Sequence, residues 1–107
     1  MKYIAVILLV LLALTAPVFA ADSPQQVAIQ GFAFNPPALT VTVGTQVTWT
    51  NRDQDPHTVV SSTQVFRSGP LDTGESFSFT FIEPGTYKYF CSLHPTMVGS
   101  ITVVPAP

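Results

Sequence analysis

The chain has 107 residues, 9% of them charged, a formal net charge of −2 and one cysteine. That length holds one domain rather than two. The charges are scattered, which excludes the basic cluster of a nucleic-acid binder, and a lone cysteine excludes an internal disulfide.

The first segment, MKYIAVILLVLLALTAPVFAAD, carries one cation, Lys2, then an apolar run from Tyr3 to about Ala16, then Val18-Phe19-Ala20 before Ala21. This is the order of a secretory signal peptide, with cleavage expected after Ala20. The run falls short of the roughly 20 apolar residues that span a bilayer, and no cysteine follows the cleavage site to take a lipid. Residues 1–20 are therefore expected to be removed, leaving a single exported domain, 21–107, periplasmic and monomeric. Its charge is about −3, Arg52, Arg67 and Lys88 against six acidic residues. No amphipathic helix is visible, so no stable membrane insertion is expected after cleavage.

Beyond the leader the chain alternates with period two. A first strand is expected over Val27 to Gln30. ALTVTVG places Leu39, Val41 and Val43 on one face, and TQVTWTN does the same with Val47 and Trp49. SFSFTF aligns Phe77, Phe79 and Phe81; TYKYFC aligns Tyr87, Tyr89 and Cys91; SITVV closes with Ile101 and Val103. Such alternation, rich in valine, threonine and aromatic residues, marks half-buried strands. Turn formers separate them: Asn35-Pro36-Pro37, Gly44, Asp53 to Pro56, Ser68-Gly69-Pro70, Asp72-Thr73-Gly74 and Glu83-Pro84-Gly85. Seven to eight short strands without a helix predict an all-β, antiparallel Greek-key sandwich of two sheets. Residues 62–71 are expected to form a loop or an irregular edge strand.

The chemistry collects at FCSLHPTMVG, residues 90–99, which holds the only cysteine, one of two histidines and the only methionine besides Met1. Cys91 ends a strand, His94 lies three residues on and Met97 six, in a loop that Pro95 stiffens and Gly99 lets re-enter the sheet. The other histidine, His57, follows NRDQDP where a loop meets the strand HTVV. Loops at one end of a sandwich cluster, so His57 can join the other three. Each residue alone has an ordinary structural role, the cysteine and the methionine as core fillers. Together they form a donor set: two imidazoles, a thiolate and a thioether are too soft for calcium or magnesium and match the His₂Cys plus weak axial methionine of blue copper. Four protein donors leave no open position for substrate, which argues against an enzyme.

These stretches resemble the cupredoxins, the small blue-copper proteins, and most closely the amicyanin type. CSLHPTM matches the short Cys-x-x-His-Pro-x-Met loop, where plastocyanins and pseudoazurins have a longer spacing before methionine. NRDQDPH, FNPPALTVTVGTQVTWTN and FIEPGTYKYFC are similar to the family's segments, and the likeness covers about Phe32 to Val104. The resemblance implies a one-electron carrier with one copper ion, His57, Cys91 and His94 in plane and Met97 axial. It departs at Thr58, where family members commonly have asparagine; a threonine hydroxyl can still tie the two ligand loops. His94 is then the expected electron exit, in a docking patch formed by Leu93, Pro95, Phe34, Pro36 and Pro56. The implied partners are redox proteins that dock transiently, a cytochrome or a dehydrogenase. A copper sequestration or delivery protein is the alternative, but one closed site lacks the exposed, methionine- or histidine-rich donors that ready release needs.

Overall fold

Alternating apolar residues build eight strands in the computed structural model, which describes residues 23–107; the expected leader and the cleavage site after Ala20 lie outside the described residues. The strands are β1 (Gln25–Ile29), β2 (Phe34–Asn35), β3 (Ala38–Thr42), β4 (Gln46–Asn51), β5 (Val60–Ser61), β6 (Ser76–Thr80), β7 (Gly85–Phe90) and β8 (Val98–Val104). They form two four-stranded sheets, in the orders β2-β1-β4-β6 and β3-β8-β7-β5.

Both sheets are mixed. β1 runs parallel to β4, with Gln25 opposite Val47, and β3 runs parallel to β8, with Ala38 opposite Ser100; the other pairings are antiparallel. The expectation of a purely antiparallel sandwich is corrected in this respect. Alternation reports which side chains face inward and is blind to strand direction, which here follows from connections that cross between the sheets.

The inward faces meet around Trp49, fully buried at 0% exposure. Its ring lies 5.4 Å from that of Tyr89, 5.6 Å from Phe66 and 5.9 Å from Phe77. Aromatic contacts of this kind add about 0.5–1.5 kcal/mol each beyond the area they bury. The Tyr89 hydroxyl is buried without a hydrogen-bond partner. Burial pushes it up to about 12, against a weaker opposing effect of the neighbouring Trp49 indole. Gly99 stands opposite Tyr89 across β7 and β8, and a Cβ there would run into the Tyr89 ring and hydroxyl. Only glycine lets β8 resume beside that ring.

Residues 62–71 fold back on 57–61 as an irregular hairpin arm. Ser61 N donates to Phe66 O at 2.9 Å and Ser68 N to Val59 O at 2.8 Å. His57 and Leu71 exchange both backbone hydrogen bonds, at 3.1 and 2.7 Å. Phe66 and Leu71 are buried, so two apolar anchors hold the arm on the core.

Candidate metal centre

Cys91 leaves β7 with its side chain fully buried. The loop that follows is closed by its own backbone: His94 N donates to Cys91 O at 3.2 Å, Met97 N to His94 O at 2.9 Å, and Cys91 N to Met97 O at 3.1 Å. The first two are consecutive i to i+3 turns. Cys91, His94 and Met97 thus stand at the ends of two successive turns. Met97 is 4% exposed and His94 half-buried.

His57 approaches from the other sheet's connection, anchored through Leu71 and wholly buried. Its Nε2 lies 2.9 Å from Asp53 Oδ2. A carboxylate accepts, so Nε2 carries the proton and Nδ1 is left with a free lone pair. That nitrogen faces the thiol, with Nδ1 3.8 Å from Cys91 Sγ. The His94 ring lies 5.1 Å from that of His57, centroid to centroid. Among the described residues, no three His, Cys, Asp or Glu side chains are already closed on one point. What stands assembled is the His57–Cys91 pair, with His94 one ring away and the Met97 thioether outside that class of donors.

Thr58 ties the two loops. Its Oγ1 accepts from Ser92 N at 2.7 Å and shares a hydrogen bond with Ser92 Oγ at 2.8 Å, while Thr58 N donates to Cys91 Sγ at 3.3 Å. Burial alone pushes the Cys91 thiol up; the N–H of Thr58, then the Thr58 hydroxyl and the Leu93 N–H, act against it and hold the thiol below its ordinary value. The site thus makes the thiolate easier to form than in an ordinary cysteine.

Of the residues expected to form a docking patch with the half-buried His94, Leu93, Pro95, Pro36 and Pro56 are exposed. Phe34 is not. It is 2% exposed and its ring packs 4.7 Å from Tyr89. The surface phenylalanine is Phe32, 48% exposed, edge-on to both His57 and His94 at 5.1 and 5.0 Å. Sequence reading also passed over Asp53, whose place four residues before His57 was the available signal. Burial tends to raise this carboxyl, but hydrogen bonds from Phe32 N and Gly31 N, then His57, carry it below its usual value.

The donor chemistry fits copper. Bonds of about 2.0 Å to an imidazole nitrogen and about 2.3 Å to a thiolate sulfur can span the 3.8 Å between His57 Nδ1 and Cys91 Sγ. Residues 3–103 match the family model of the cupredoxin-like domain. The chain belongs to the cupredoxin family. It is 34% identical over 95 residues to an amicyanin of Paracoccus versutus, covering 81% of this chain and 72% of that protein. Among solved structures it is similar to a purple cupredoxin from Nitrosopumilus maritimus, with 40% identity and a TM-score of 0.70 over 75% of this chain and 99% of that one. It is also similar to part of a copper-containing nitrite reductase from Thermus scotoductus, with 35% identity and a TM-score of 0.71 over 76% of this chain and 22% of that one. Copper is the cofactor that goes with this cupredoxin fold, one ion per domain.

Proposed function

We propose that the protein is an exported, periplasmic one-electron carrier whose copper ion is held by His57 Nδ1, Cys91 Sγ, the His94 imidazole and the Met97 thioether. The observation that carries this reading is the His57–Cys91 pair, buried and aligned at 3.8 Å. Copper, when bound, supplies a Cu(II)/Cu(I) couple.

The chain's own residues hold the donors still. The two turns of the loop fix the backbone at Cys91, His94 and Met97, Asp53 fixes the His57 tautomer, and Thr58 and Ser92 lock one loop to the other. A frame of this kind changes little when one electron arrives, which keeps reorganisation small. Burial of Cys91, His57 and Met97 keeps water off the donors. The half-buried His94 is the route by which an electron leaves, through the apolar surface of Leu93, Pro95 and Phe32. A small apolar patch suits brief docking with a cytochrome or a dehydrogenase. Four protein donors leave no position for substrate, so the domain carries electrons rather than transforming a molecule.

Titration with Cu(II) tests the reading. One equivalent should develop intense visible absorption from sulfur-to-copper charge transfer, and voltammetry should show a reversible one-electron wave. Colourless uptake of copper would overturn the carrier in favour of a storage or delivery protein. Export is tested by the mass of the polypeptide in a periplasmic extract, which should begin at Ala21.

A further inference from the structure

Strands β1 and β2 are joined by the two-residue turn Gly31-Phe32, closed by Gln30 N donating to Ala33 O at 3.0 Å. Both central residues have positive φ, 64° at Gly31 and 54° at Phe32. Turns of this primed kind strongly prefer glycine or asparagine at such positions. A bulky aromatic residue there is a local outlier that the surroundings must hold in place.

What holds it is Asp53. Its carboxylate accepts Gly31 N at Oδ1, 2.8 Å, and Phe32 N at Oδ2, 2.9 Å, one oxygen for each of the two successive N–H groups of the turn. Paired backbone N–H groups of this sort make a binding concavity for an anion. Oδ2 also receives His57 Nε2 at 2.9 Å. The outcome lies above the candidate site. The Phe32 ring stands edge-on to His94 at 5.0 Å and 87°, and to His57 at 5.1 Å and 90°. The His94 imidazole in particular is not explained by its loop alone: among the described residues its ring contacts are with Phe32 and His57.

We propose that Phe32 is a positioning residue for both histidines, its ring keeping the half-buried His94 turned toward His57, and that Asp53 acts on His94 through Phe32 by holding the turn in its left-handed conformation. The strained backbone is the cost of placing an aromatic ring at a point no extended strand residue reaches. The inference rests on the reading of His57 and His94 as copper ligands only in its copper arm; the arm without metal stands by itself.

Phe32→Gly is the informative variant, because glycine accepts the turn and removes only the ring. In the metal-free protein, NMR should show close contacts between the Phe32 and His94 rings. Phe32→Gly should loosen His94, an edge contact between rings being worth a population factor of roughly two to ten. Phe32→Tyr, which keeps the ring, should restore the wild-type His94 signals. Asp53→Asn should loosen His94 alone but add nothing in the Phe32→Gly background. In copper-loaded protein, the same variants should lose Cu(II) to a chelator roughly two- to tenfold faster and shift the visible band. His94 signals unchanged in Phe32→Gly, failed rescue by tyrosine, or additive effects of the two substitutions would each overturn the proposal. If wild-type protein took up Cu(II) without a thiolate band, the ligand reading would fail, while loosening of His94 in metal-free Phe32→Gly would still support the positioning role.

Discussion

Two segments bring donors to the site, and they are held by opposite means. Residues 91–97 are self-contained: three hydrogen bonds among Cys91, His94 and Met97 close the loop from its own backbone. Residues 51–57 are held from outside. Asn51, fully buried, donates through Nδ2 to Asp55 O at 2.9 Å and Leu71 O at 2.8 Å, and accepts Asp53 N at 2.9 Å. Thr73 Oγ1 donates to Asp53 O at 2.6 Å, and the Asp53 side chain reaches back to the β1–β2 turn. One segment is closed by its own backbone, the other by side chains that tie it to the β1–β2 turn, to Leu71 and to Thr73. The first should tolerate changes around it, and the second should fail when a single polar partner is removed.

Substitution can break that contrast. The largest effect is expected at Cys91, the point both segments share: Cys91→Ala should abolish the copper–thiolate absorption entirely while circular dichroism shows the sandwich intact. Retained colour would mean that sulfur is not a ligand. Next comes Asn51→Ala, which removes three hydrogen bonds, to Asp55 O, to Leu71 O and from Asp53 N, at about 1 kcal/mol each. A loss near 3 kcal/mol lowers the melting temperature of a domain this size by roughly 10–20 °C. A drop of only a few degrees would show that water replaces the asparagine and that the outer segment is not held as described.

Gly99→Ala tests the exit of the self-contained loop. The new methyl meets the Tyr89 ring, and overpacking of this kind costs about 1–3 kcal/mol, so thermal stability should fall while the visible band of copper-loaded protein stays. Loss of the band would couple loop and core more tightly than their hydrogen bonds imply. Met97→Leu removes a weak thioether donor and dries the site, both of which favour Cu(I), so the reduction potential should rise with copper retained. An unchanged or lower potential would remove Met97 from the ligand set.

The smallest effect is in acid. The Asp53 carboxyl is held below its unfolded value, near 3.9, so its contribution to stability is complete above that pH and is lost as pH falls through the folded value. In metal-free protein the urea midpoint of Asp53→Asn should therefore lie below that of wild type at neutral pH, the two converging below about pH 4. A gap that persisted into strong acid would assign the loss to altered hydrogen-bond geometry instead of charge.

The same contrast explains what could be read from the sequence. The i, i+3, i+6 spacing of Cys91, His94 and Met97 is a local fact, and local turns realise it. The strand faces were also legible, since Val47, Trp49, Tyr89 and Ile101 all point inward as their alternation predicts. Interactions between distant segments left no such trace. Nothing in NRDQDPH announces that Asp53 will grip Gly31 and Phe32, twenty-two and twenty-one residues earlier. Phe34 was placed at the surface, and Phe32 given no role, for a related reason. Two residues apart, they would share a face in a continuous strand, but the turn at Gly31-Phe32 interrupts the alternation, turning Phe32 outward and leaving Phe34 in the core. Gly-Phe is not a turn signal that composition reveals. The parallel pairings were invisible because periodicity carries no direction.

All the candidate donors lie at or before Met97, yet the frame that holds them does not end there. Strand β8 lies between β7 and β3, and Ala38 to Thr42 find their partners only at Ser100 to Val104. A chain stopped after Met97 would possess every donor and still leave β3 without its neighbour and β7 with a bare edge. Sequence-distant pairing of this kind slows folding to the millisecond-to-second range. A growing chain would thus display its donors before it could organise them, and copper capture would have to wait for the final strand.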